Sequence, residues 1–143
     1  MAEKLEFRLA TWDDVGWLAE MNQHLIQDEG HRNKMQLEEL EERMADFLQT
    51  GYNAVIVNQG REDIAYALYR QEPEWMYLRQ IFVKKHMRRK GIGRSLIEWL
   101  KDGPWKGCKI IRTDVLVNNK SGLRFWEEMG FGTYCITMEM ANE

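Results

Sequence analysis

The apolar positions change period along the chain, and the changes mark its elements. Residues 3–10 read as a short strand. From Thr11 the spacing turns helical, with Val15, Leu18, Ala19, Leu25 and Ile26 on one side and Asp14 three places after Thr11, close to a capping box. Residues 27–33 break the period and read as a loop. A second helix carries Leu37, Leu40, Met44, Phe47 and Leu48 on one face and stops at Gly51; Glu38, Glu39, Glu41 and Glu42 form its solvated face. Strands are predicted at 52–58, 63–70 and 75–83, the first two joined by a turn at Asn58, Gln59 and Gly60. A helix over residues 91–101 follows, with Ile92, Leu96, Ile97 and Leu100 inside and Gly103-Pro104 as its stop. A strand at 109–117 and a helix at 119–129 come next. Strict alternation over 132–140 then puts Tyr134, Ile136, Met138 and Met140 on one face of a last strand.

The predicted order is β-α-α-β-β-β-α-β-α-β. Strand 75–83, helix 91–101 and strand 109–117 form a β-α-β unit, which makes those two strands parallel. The three strands before that helix should be antiparallel neighbours. The fold class is α/β, in the sense of an α+β mixed sheet with helices on both faces.

Length and composition agree. A chain of 143 residues, 44% hydrophobic and 30% charged, suits one folded domain, here residues 1–143. No apolar run reaches the ~18 residues of a membrane helix, and the first residues lack the apolar stretch of a signal peptide. The two cysteines, Cys108 and Cys135, have no metal-like spacing and suggest a reducing cytoplasm. His24, His31 and His86 are scattered, so no metal site is expected.

Charge adds something new. The net charge is −3, yet residues 84–94 hold Lys84, Lys85, Arg88, Arg89, Lys90 and Arg94 without an acid, leaving −3 − 6 = −9 elsewhere. Residues 11–50 hold ten acids against three bases, a net −7. Basic charge confined to one short loop suits a compact polyanion better than a duplex, so no nucleic-acid partner is expected.

The loop lies between a strand and a helix, where free backbone N–H groups and the positive helix end gather. Gly91 and Gly93 let the backbone approach an anion, and the flanking Arg and Lys add charge-assisted bonds. A pyrophosphate-bearing ligand fits. GxxxxGK[ST] is absent, and Gly91-Ile92-Gly93-Arg94-Ser95-Leu96 lacks the third glycine of a dinucleotide fingerprint.

Arg88-x-x-Gly91-x-Gly93 resembles the R/Q-x-x-G-x-G/A loop of the GNAT superfamily of acyl-CoA-dependent N-acyltransferases. Ile81-Phe82-Val83 before it is similar to that family's strand end. The run from Asn119 through Phe125-Trp126-Glu127 to Gly130-Phe131 resembles its N-x-x-A-x-x-F-Y-E-x-x-G-F helix, and the element order matches nearly throughout. The resemblance implies acetyl-CoA as cosubstrate. Its pyrophosphate would rest on the amides of residues 89–94, meaning Arg89, Lys90, Gly91, Ile92, Gly93 and Arg94, with Arg88 and Ser95 at the edges. Its pantetheine would pair with Ile81 and Val83, beside Phe82, where strands 75–83 and 109–117 splay apart. Asn119 would contact the pantetheine or another part of the cofactor, and Lys120 and Arg124 the adenosine phosphates.

Two positions depart from the family. The tyrosine that protonates the leaving thiolate is replaced by Trp126, whose indole N–H donates without titrating usefully and which packs against cofactor or core. A glutamate base that some members carry on the strand is replaced by Tyr77; Tyr77, Arg79 and Gln80 line the acceptor site or are plain strand residues. With an amine pKa of ~10.4, only about one amine in 2,500 is neutral at pH 7. Glu29, Asp28 and Asp114 are the acids available to take the proton. The N–H of Val83 or a neighbour would hold the oxyanion. The thiolate would leave directly or take a proton from Tyr134.

The expected function is transfer of an acetyl group from acetyl-CoA to a primary amine of a small-molecule or peptide acceptor, with acids of residues 11–50 favouring a cationic one. The alternative is a catalytically inactive CoA-binding sensor, and a basic-loop nucleic-acid module ranks below it. The last strand offers an edge that can pair two chains into a homodimer. No membrane partner is expected.

Overall fold

The computed structural model describes residues 4–30 and 32–143. Glu3 of the first predicted strand, and His31, lie outside the described residues. The elements are β1 (Leu5–Leu9), a 3-10 turn (Trp12–Asp14), α1 (Val15–Asp28), α2 (Leu37–Gln49), β2 (Tyr52–Gln59), β3 (Glu62–Gln71), β4 (Met76–Val83), a second 3-10 turn (Lys85–Met87), α3 (Ile92–Asp102), β5 (Ile111–Thr113) and α4 (Lys120–Glu128). The sheet runs β1-β2-β3-β4-β5. Its first four strands are antiparallel, and β4 and β5 are parallel, as the β-α-β order requires.

Each face of the sheet carries its own core. Val55, Val57, Ile64 and Leu78 pack under Leu96, Ile97 and Leu100 of α3 and Trp126 of α4. Ile56, Tyr66, Leu68 and Phe82 pack under Leu18 and Met21 of α1 and Met44 of α2. Burial on both faces explains why Ala54–Val57 and Ile64–Tyr69 read as continuous apolar runs. Each fully buried Leu or Ile stabilises the fold by about 1.5–3 kcal/mol relative to exposure.

A bulge breaks the pairing of β3 with β4. Leu68 faces Gln80 and Tyr69 faces Leu78, so Arg79 is the extra residue. The bulge shifts the side-chain phase by one. Met76 and Leu78 before it, and Ile81 and Val83 after it, all turn to the α3 side. Phe82 and Tyr77 turn to the α1–α2 side.

Two expected strands differ. Residues 109–117 pair only over Ile111–Thr113, after which the chain leaves β4, and Val117 is exposed. Residues 132–140 form no strand. Tyr134, Ile136, Met138 and Met140 alternate as predicted, yet all four are exposed. Alternation drives pairing only where an opposing ladder and a core face exist, and a three-residue β5 supplies neither.

At the start of α1, Asp14 accepts bonds from the Thr11 N–H at 2.8 Å and from both Nη atoms of Arg8 at 2.9 Å. The Arg8 guanidinium holds the Asp14 carboxyl below the usual carboxylate range. A depressed folded-state pKa means stability that is present above the unfolded value and lost as pH falls through the folded one. Asp14→Asn should therefore cost about 1 kcal/mol at pH 7 and flatten the acid limb below pH ~4. Urea melts from pH 2 to 7 measure this, and an unchanged acid limb would contradict it.

Candidate functional site

β4 holds β3 on one edge, while its other edge is covered by β5 only as far as Leu78, which faces Thr113. The Thr113 hydroxyl closes the join by donating to the Leu78 carbonyl at 3.0 Å. Beyond it the strands part at the Arg79 bulge. The Lys84 N–H bonds the Ile64 carbonyl at 2.8 Å, so even-numbered residues of this stretch point their backbone groups at β3. Strand alternation then turns the N–H groups of Ile81 and Val83 into the open cleft. A single extended ligand arm can pair there.

The cleft leads to the N-terminus of α3. Gly91 caps that helix in the left-handed region at φ 76°, with open space where a side chain would stand. Arg89 also takes a positive φ of 62°. Together they fold the loop so that the first N–H groups of α3 face outward, beside Arg89, Lys90 and Arg94, all exposed. Ser95 already donates its N–H to the Gly91 carbonyl at 3.0 Å.

Two loop residues also make contacts within the fold. A Cβ on Gly93 would lie 3.2 Å from Cζ of Phe125, so this glycine lets α3 approach α4 closely. Arg88 donates through Nε to the Val83 carbonyl at 2.9 Å and through Nη2 to Asp28, with its guanidinium 5.3 Å from the Phe82 ring centroid. It ties the end of α1 to the end of β4, so the Asp28 carboxylate is already paired. Lys84 is likewise paired with Glu62 at 3.2 Å.

Asn119 caps α4, accepting from the Gly122 N–H at 3.1 Å, and its Nδ2 reaches the Glu29 carboxylate at 3.4 Å. Glu29 thus crosses from the end of α1 to the start of α4. Its charge also acts on the buried Tyr66 hydroxyl, which donates to Gln80 Oε1 at 2.8 Å and whose pKa burial raises strongly. Trp126 is buried between Phe125 and Phe131, with ring centroids 4.8 and 4.9 Å away. Tyr134 stands apart. Its ring lies against Arg112, 4.3 Å from the guanidinium carbon, and Arg112 is level with Tyr77, six residues before Val83. Tyr77 donates to Asp114 at 2.7 Å, and burial first, then that bond, raises its pKa.

Sequence reasoning missed Arg43 and Asn22. Arg43 Nη2 donates to the buried Asn22 Oδ1 at 2.8 Å. The signal was present, since Asn22 and Arg43 interrupt the apolar stripes Leu18-Met21-Leu25 and Leu40-Met44-Phe47. The bulge had a signal too, in the slip from Met76 and Leu78 to Ile81 and Val83. Among the described residues, no group of three His, Cys, Asp or Glu is arranged to hold a metal, and no helix is long and apolar enough to cross a membrane.

The fold of this chain is shared with several solved structures. A possible acetyltransferase from Clostridium difficile 630 superposes with a TM-score of 0.79 at 20% identity, over 99% of each chain. Aminoglycoside N-acetyltransferase AAC(6')-Iy in complex with CoA gives 0.79 at 15% identity, over 99% of this chain and 97% of that one. Ribosomal-protein-alanine N-acetyltransferase from Brucella melitensis biovar Abortus 2308 gives 0.78 at 15%, over 97% and 100%. No curated protein matches the sequence. The sequence profile of the acetyltransferase (GNAT) family matches residues 13–131, and the chain belongs to that family.

Proposed function

We propose that the protein transfers the acetyl group of acetyl-CoA to a primary amine that arrives as its ammonium form. The observation that carries this is the open edge of β4 at Ile81 and Val83, running straight to the Gly91-capped end of α3. The pantetheine pairs with that edge, and the pyrophosphate meets the loop amides beside Arg89, Lys90 and Arg94. The acyl end then reaches the Arg79 bulge. The CoA bound by AAC(6')-Iy supports the reading.

Glu29 is the acid best placed to take the ammonium proton, since Asp28 is held by Arg88 and Asp114 by Tyr77. The neutral amine attacks the thioester carbonyl, the C–N bond forms, the C–S bond breaks, and the sulfur leaves as thiolate. Thiols ionise near ~8.5, below the amine, so departure needs no tyrosine at position 126. The balance is ammonium plus thioester giving amide, thiol and one proton.

Screening a panel of amines with acetyl-CoA and reading free thiol tests this. Amine-dependent thiol release supports it. Tight acetyl-CoA binding with no release for any amine favours the sensor reading, to which the buried Trp126 would then belong.

A further inference from the structure

On the α1–α2 face of the sheet, beside the bulge, lie two guanidinium groups with no acid partner among the described residues. Arg79 is exposed; its guanidinium carbon stands 4.7 Å from the Phe47 ring centroid and 5.9 Å from that of Tyr52, and its Nη1 reaches the Tyr52 hydroxyl at 3.4 Å. Arg43 lies deeper, 5.4 Å from the Phe47 ring centroid. One of its donors, Nη2, is used by Asn22, and its Nε is buried without a hydrogen-bond partner among the described residues. Burial and the charge of Arg79 both push the Arg43 pKa down. Arg8, Arg32, Arg70 and Arg88 each have a carboxylate partner, whereas among the described residues no carboxylate lies in ion-pair range of Arg43 or Arg79. The nearby Asp114 carboxylate is engaged by Tyr77.

A partly desolvated guanidinium beside a second positive charge is costly, and an anion bound between the two offsets that repulsion. From this we infer that Arg43 and Arg79 bind a carboxylate of the acceptor, which is therefore an amino acid-type molecule bearing both a primary amine and a free carboxylate. The amine end meets Glu29 and the acyl group, while the carboxylate end meets the arginines. Of the acids of α2, Glu38, Glu39, Glu42 and Asp46 are exposed to solvent and Glu41 is half-buried, and none of them is paired with either arginine. The inference rests on the acetyl-transfer reading, and its test separates the two.

The standard amino acids, each beside its methyl ester, are offered with acetyl-CoA to the full chain, with free thiol as readout. The best free acid should exceed its own ester by about 10- to 100-fold in kcat/KM, as the loss of a charge-assisted bond predicts. Arg79→Gln should collapse that ratio towards one, and Arg79→Lys should restore part of it. In parallel, the Arg43 Nε–H resonance is followed by nitrogen NMR as the same amino acids are added; it should shift with free acids and not with esters. Esters used as well as acids, or a ratio that survives Arg79→Gln, would overturn the carboxylate site while leaving acetyl transfer standing. A resonance that shifts with free acids when no amine is acetylated would support the site and overturn the transfer reading. Neither a shift nor turnover would overturn both.

Discussion

Reversing the charge of Arg89, Lys90 and Arg94 together is expected to weaken acetyl-CoA binding by about 100-fold or more, in a chain that melts like the unaltered one. These three side chains are exposed and have no acid partner among the described residues, whereas Lys84 and Arg88 are paired with Glu62 and Asp28. Each charge-assisted bond to phosphate contributes about 1.5–3 kcal/mol, and loss of two gives the stated factor. Since the interaction is electrostatic and exposed, affinity of the unaltered protein should fall with salt, and that of the reversed variant should not. Calorimetry at two salt concentrations decides it. Affinity within about threefold of the original would remove the loop from the cofactor site. Arg88 is left out of the variant because its guanidinium fastens α1 to β4.

Glu29→Gln is expected to lower kcat by about 100- to 10,000-fold at pH 7, the range of a lost general base. The glutamine keeps an oxygen for the Asn119 amide, which the carboxylate accepts from at 3.4 Å, so the tie to α4 persists. The variant should recover as pH rises, about tenfold per unit towards the amine pKa near ~10.4, because solvent then supplies the neutral amine. A purely structural role predicts a deficit that does not depend on pH. A kcat within about twofold of the original across pH 7 to 9 would exclude Glu29 as the base.

Local features were legible from the sequence. The αL cap at Gly91 follows from a glycine between a strand and an amphipathic helix, and the basic loop is contiguous. The β-α-β order fixed the parallel pairing of β4 with β5. What escaped depends on residues far apart in the chain. Gly93 meets Phe125 only because α3 and α4 pack together. Arg88 finds Asp28 across sixty positions, a pairing that no local pattern announces. Glu29 reaches Asn119 because α1 ends over the cleft. Residues 132–140 show the converse, a strand-like pattern whose neighbour β5 is too short to pair it. The sequence puts Trp126 in the core or against the cofactor, and the structure packs it among Phe125 and Phe131 on the α3 side.

The most direct measurement follows the acetyl carbon itself. Acetyl-CoA labelled in its acetyl group is mixed with the protein and the best amine of the panel, and the product is read by mass spectrometry. The label should leave the thioester and appear in an amide, one for each thiol released, only when protein and amine are both present. Label that stays in the thioester, or that leaves as free acetate, while acetyl-CoA remains bound to the protein would contradict acetyl transfer to an amine.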